Sequence, residues 1–186
     1  MDSSAVGTRR RPRHRRLVVV IVLALLAAWG LATARLFVWP SLPDLPEQAD
    51  AIVELGGPGD RDSVALDLAR QHRARYLVQS TTAKDAARGQ CLPAVEGVTV
   101  LCFHADPATT RGEAWAIADL AQRYGWRSVI LVTTPDQAWR AMVRVGRCFD
   151  GEISVATARL PARLWLVQIP YQWGATVKAF TVERSC

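Results

Sequence analysis

The sequence has no CxxC pair, and its three histidines, His14, His72 and His104, are scattered, so no His/Cys set has metal-ligand spacing. It has neither a GxGxxG fingerprint nor a GxxxxGK[ST] loop, the two glycine-rich signatures of dinucleotide and nucleoside-triphosphate sites. No Ser-His-Asp pattern marks a hydrolase triad, no internal repeat is present, and no cofactor motif is evident. Basic charge is also scarce once the start is set aside. Residues 1–16 hold Arg9, Arg10, Arg11, Arg13, Arg15 and Arg16 against one acid, Asp2, and so account for five of the six net positive charges. The remainder is almost neutral, which argues against a nucleic-acid face.

Directly after the basic arm comes an uncharged, apolar run of 18 residues from Leu17 to Ala34, long enough to cross hydrocarbon as a helix. Leu36, Phe37, Val38 and Trp39 extend it, with Arg35 placed to snorkel and Trp39 suited to the interface. The division expected is a cytoplasmic arm (1–16), a transmembrane anchor or signal peptide (17–39), a Pro-rich linker (40–48) and an α/β domain (49–186). Ala32-Thr33-Ala34 fits a small-x-small cleavage site, so the signal-peptide alternative stays open. Both readings put the domain outside the cytoplasm, because basic residues stay inside. Four cysteines in an exported domain then read as two disulfides, Cys91–Cys102 across a short Pro/Gly-containing stretch and Cys148–Cys186 tying down the last residue, with buried free thiols as the alternative.

Strands are expected at residues 50–55 (DAIVEL), 76–79, 98–103, 128–132 (SVILV) and 152–156, the last at an edge. Helices should open at Asp60, at Thr109–Thr110 and at Pro135, the last running to Phe149, with residues 83–93 a polar loop. Pro135 suits a first helical turn, and Thr134 with Gln137, like Thr110 with Glu113, has the spacing of a capping box. From Pro161 the chain is aromatic and is interrupted by Pro170. It reads as helix packed on the sheet, or as an interfacial helix lying on the membrane. Strands alternating with helices give an α/β fold: a Rossmann-like three-layer sandwich with a mainly parallel sheet of about five strands, behind one N-terminal transmembrane helix.

Four strand ends carry glycine or hydroxyl groups: Gly56 and Gly57, Ser80 with Thr81, Thr109 to Arg111, and Thr133 with Thr134. In a parallel sheet all of them converge on one edge, where helix N-termini favour an anion. Arg111 and Arg140 would supply the charge, and His104 reads as a loop residue. Glu113 or Asp136 is the nearby acid/base candidate, with Asp60 and Asp62 added if bonds are broken.

The pieces AIVELGG (51–57), Arg61 with Ala65 and Leu68, TTRGEA (109–114) and VTTPDQAWRA (132–141) together resemble the YdcF-like proteins, the family that includes the envelope proteins SanA and ElyC. The resemblance covers residues 49–149. It implies a Rossmann-like sandwich, often behind one anchor, with a pocket at the strand ends that includes Arg61, and a role in envelope polysaccharide or peptidoglycan maintenance. The family pattern reads VTS-x-x-H-x-x-R-A, and here Thr134 stands for the Ser and Gln137 for the His. A Gln does not exchange protons near neutral pH, so binding transfers more safely than catalysis. The function expected is an envelope protein whose outward domain binds a phosphate-bearing or nucleotide-like ligand. The alternatives are a weak hydrolase or transferase on that ligand, and a non-catalytic membrane scaffold.

Overall fold

The computed structural model describes residues 11–186, so the first ten residues of the expected arm lie outside the described residues. Helix α1 (Arg11–Thr33) continues as a π-helical turn (Ala34–Val38). Its apolar side chains, Leu17 to Leu31, are exposed on every side. Across the two, His14–Val38 is the one stretch of the described residues long and apolar enough to cross a membrane.

The domain is built on five strands: β1 (Ala49–Glu54), β2 (Ala74–Ser80), β3 (Thr99–Phe103), β4 (Ser128–Thr133) and β5 (Glu152–Thr157). They form one sheet in the order β3-β2-β1-β4-β5, every pair parallel. Central strands buried on both faces must be apolar throughout, and Ala51, Ile52 and Val53 of β1 and Ile130, Leu131 and Val132 of β4 are all fully buried. On one face Ile52, Leu77 and Ile130 pack against Ala65, Leu68 and Ala69 of α2 (Arg61–Arg70). On the other, Val53, Val78 and Leu131 pack with α4 (Thr110–Tyr124) and α5 (Pro135–Val145) through Ile117, Ala138, Ala141 and Val145. This is a three-layer α/β sandwich of Rossmann-like type. Strand order reverses between β1 and β4, which is where such sheets leave a crevice.

Several expectations need correction. Residues 83–87 are not loop but a short helix, α3 (Ala83–Ala87), because Thr82 caps it: its hydroxyl accepts from the Asp85 N–H at 3.2 Å. Helix α5 stops at Val145, short of Cys148 and Phe149. Helix α6 (Trp165–Thr181) runs unbroken through Pro170 and packs on α5 rather than on the sheet. Pro170 and Leu166, whose carbonyl the proline leaves unpaired, both lie on the exposed face, where that loss is tolerated.

The disulfides are Cys91–Cys102 and Cys148–Cys186, as expected, and no cysteine among the described residues is free. The N-terminal helix is docked on the domain. Phe37 is fully buried against α5, edge-on to Trp173 of α6 at 5.3 Å, and Trp173 Nε1 donates to Thr33 Oγ1 at 3.1 Å. The Pro-rich linker is held too: Ser154 Oγ donates to Asp44 O, Arg73 Nη2 donates to Pro46 O, and Leu42 packs on the core.

Candidate functional site

The carboxyl ends of β1, β2 and β3 and the starts of α4 and α5 surround one cavity of about 720 Å³. Residues 56–58 line it after β1, Ser80 and Thr81 after β2, and His104 after β3. Thr109, Thr110 and Glu113 come from the first turn of α4, and Gln137 and Arg140 from α5. Helix α6 closes one side with Val167, Gln168, Tyr171 and Gln172.

Beneath the β1–α2 loop lies Arg61, which is 1% exposed. All five of its N–H groups are used. Nε donates to Pro58 O at 3.1 Å, and Nη1 to Leu55 O at 2.8 Å and Gly56 O at 2.7 Å. Nη2 donates to Thr134 Oγ1 and to Gln137 Oε1, each at 3.0 Å. Burial pulls its pKa down, and the carboxylates of Glu113, Asp136 and Glu54 counter that pull. The rigid guanidinium fork thus fixes the shape of the loop. Gly57 has φ +136° and a Cβ there would come within 2.8 Å of Arg61 Nη2, so only glycine lets the chain cross the fork.

A second set of bonds joins α4 to that loop and, through α5, to α6. Glu113 Oε1 accepts from the Gly56 N–H at 2.7 Å, and a Cβ on Gly56 would lie 3.3 Å from the same oxygen. Burial pushes the Glu113 carboxyl above its ordinary range, with Gly56, Ser80, Arg61 and Arg140 pulling the other way. Arg140 donates from Nε to Gln172 Oε1 and from Nη1 to Thr110 Oγ1, both at 2.9 Å. Its Nη2 makes no hydrogen bond among the described residues, although Arg140 lines the cavity. Gln172 Nε2 in turn donates to Asp136 Oδ2 at 2.9 Å.

Glu54, which is not among the expected site residues, also lines the cavity. It is 5% exposed, and its Oε2 has no hydrogen-bond partner. Burial, and then the neighbouring Asp62 carboxylate, push its pKa up to about 8. At neutral pH it is therefore mostly a neutral acid, able to donate a proton and adding little negative charge to the cavity.

Of the expected site residues, the fold brings Gly56, Gly57, Ser80, Thr110, Glu113, Gln137 and Arg140 to the cavity. Others go elsewhere. Arg61 holds the loop from below with no donor left for a ligand. Thr133 and Thr134 are fully buried behind the wall, and Asp136, 1% exposed, bonds Gln172 there. Arg111 points away: Nη2 donates to Cys186 O at 3.2 Å and the guanidinium lies 4.9 Å over the Trp115 ring. Its place at the second position of α4 puts it on the outer face of the turn. Asp60 and Asp62 are exposed at the start of α2 and do not line the cavity.

Neither expected capping box forms. Thr134 makes no cap bond and serves Arg61 with Gln137, because a buried guanidinium needs acceptors more than a helix end does. The cap of α4 is Thr109, one residue earlier, whose hydroxyl accepts from the Gly112 N–H at 3.4 Å. Thr110 and Glu113 are thereby free to face Arg140 and Gly56. Among the described residues no three His, Cys, Asp or Glu side chains are grouped to hold a metal ion.

No protein-family model and no curated protein matches the chain. Among solved structures it is similar to glycinamide ribonucleotide transformylase 1 from Symbiobacterium toebii, with 19% identity over 75% of this chain and 67% of that one and a TM-score of 0.35. A likeness that slight carries no inference about ligand or activity.

Proposed function

We propose that the chain is a YdcF-like, single-span membrane protein whose extracytoplasmic domain binds a phosphate-bearing or nucleotide-like ligand in the strand-end cavity, in the maintenance of envelope polysaccharide or peptidoglycan. The observation that carries the ligand class is Arg140. Its Nε and Nη1 are fixed by Gln172 and Thr110, while Nη2 makes no hydrogen bond among the described residues and the residue lines the cavity. A guanidinium held in place by its other bonds is prepared for a phosphate oxygen at little cost in side-chain entropy. The first turn of α4 adds the positive end of a helix dipole beside it. The outward topology draws support from the basic arm and from the two disulfides. The envelope role rests on the sequence resemblance.

Glu54 favours a second reading, hydrolysis or group transfer on the same ligand. A carboxylic acid that keeps its proton near neutral pH suits protonation of a leaving group. Binding is tested by thermal unfolding of the full chain in detergent with inorganic phosphate, sugar nucleotides and prenyl phosphates. A ligand at one hundred times its Kd stabilises by about 2.7 kcal/mol. A shift that disappears in Arg140→Ala supports the anion site. A shift unchanged in that variant, or none with any probe, rejects it and leaves the scaffold. Product formation lost in Glu54→Gln with binding retained would add turnover.

A further inference from the structure

Helix α6 stands between the anchor and the cavity. One edge, at Trp173, touches α1: the Trp29 and Trp173 rings stack at 6.4 Å. The opposite edge, with Val167 and Tyr171, lines the cavity. The buried edge, Gln172, Thr176 and Ala179, faces α5. At 3.6 residues per turn, the positions that run round the outside from Trp173 to Tyr171 are Leu166, Val177, Pro170, Thr181, Gly174, Val167 and Lys178. Lys178 is the one charge in that set. Leu166 is 86% exposed, Val167 68%, Tyr171 61% and Val177 56%, a continuous apolar face with no cover among the described residues.

Two observations say what covers it. The face begins where the membrane helix docks, so a bilayer crossed by α1 lies against it without any rearrangement of the fold. The segment 159–184 also carries Arg159, Arg163, Lys178 and Arg184, all exposed, while its one acid, Glu183, is paired with Arg144 and Lys178. An apolar face with basic flanks is the composition that lies in an anionic lipid interface.

We infer that α6 is an interfacial helix, its outer face set in the headgroup region of the outward leaflet, and that the cavity it walls is entered from the bilayer by an amphiphile with an anionic head. The class of head rests on the anion-binding reading above. The lipid origin rests on α6 alone. Val167 and Tyr171 then serve as an apolar sill at the mouth, over which an acyl or prenyl chain remains in lipid while its phosphate reaches Arg140.

The test uses the full chain in vesicles of phosphatidylcholine and phosphatidylglycerol. Because no cysteine is free, Leu166→Cys, Val177→Cys and, as a control at the amino edge of the sheet, Glu96→Cys each take one nitroxide label. All three positions are exposed, so the fold should tolerate them. The expected result is collision with oxygen exceeding collision with a water-soluble nickel chelate at 166 and 177, and the reverse at 96. Water-like collision at 166 and 177 overturns the proposal. So does exclusion of both reagents with dipolar broadening, the sign of a second copy on the face.

Hydrogen exchange in residues 109–113 then separates the sources of phosphate, with phosphatidic acid in the vesicles in one arm and glycerol phosphate in solution in the other. Protection by the lipid alone is expected. Equal protection by the soluble phosphate overturns entry from the bilayer and leaves the anion site standing. Lipid-like labels with no protection in either arm uphold the interfacial helix and reject the anion site.

Discussion

Gln137 and Arg61 are joined by a hydrogen bond from Arg61 Nη2 to Gln137 Oε1 at 3.0 Å, and Gln137 passes the connection on by donating from Nε2 to Thr110 Oγ1 at 3.2 Å. The side chain thus accepts at one end and donates at the other. A neutral imidazole also accepts at one nitrogen and donates at the other, whereas an imidazolium only donates. Gln137→His should therefore match the parent's stability at alkaline pH. The folded state holds that His neutral, so its pKa falls below the unfolded value and stability is lost as pH drops below about 6.5. Urea unfolding at several pH values checks this, and a pH-independent deficit would contradict it.

Arg61→Lys should be poorly tolerated despite the retained charge. Three ammonium donors on a flexible stem cannot serve five acceptors arranged around a planar fork. A loss of about 3 kcal/mol or more is expected in urea unfolding. A loss under about 1 kcal/mol would mean that the loop holds its own shape.

Glu54→Gln should remove a pH dependence. In the parent the folded state keeps the proton from the ordinary carboxylate range of 4.5 up to about 8, while the unfolded state gives it up at the lower value. Across that window the folded state binds more protons, so parent stability falls as pH rises. The variant carries no such penalty. It should be the more stable form above pH 8 and converge with the parent near pH 5, a comparison made by thermal unfolding across that range (roughly three pH units).

The two arginines expected to supply charge should behave oppositely. Arg140→Ala abolishes any phosphate-dependent shift in unfolding temperature. Arg111→Ala leaves that shift intact and costs about 1 kcal/mol or less, since only a partly exposed cation–π contact and one bond to Cys186 O are lost. Loss of ligand response in Arg111→Ala would place the site on the wrong side of α4.

Cutting the Cys148–Cys186 bond by Cys186→Ser should destabilise the chain by about 3–4 kcal/mol, the loop entropy of a crosslink 38 residues apart. The same change loosens the segment that holds Glu183 against Arg144. Equal unfolding temperatures with and without reductant would show that this segment is held by packing alone.

The sheet was legible because a parallel strand buried on both faces has to be an apolar run, and SVILV and DAIVEL are such runs. The same rule hid Glu54, whose apolar neighbours made it look like a strand residue and whose unusual protonation depends on burial that spacing does not reveal. Thr134 with Gln137, and Thr110 with Glu113, have a spacing that serves a cap and a tertiary bond equally well. Arg61 decided the first pair, and the shift of the α4 cap to Thr109 decided the second. Arg111 and Arg140 looked equivalent as charges near helix starts, and only the rotation of each helix against the sheet separates them. Pro170 read as a break, yet it sits where the missing hydrogen bond is on the outside.

Phe37 is 0% exposed although it belongs to the apolar N-terminal segment. The boundary drawn by hydrophobicity therefore does not coincide with the boundary of the folded body. A protein cut after Val38 for solubility would lose a core side chain and gain an empty slot between α5 and α6. Exchanging this apolar helix for an unrelated one would do the same damage, so helix and domain form one packed body.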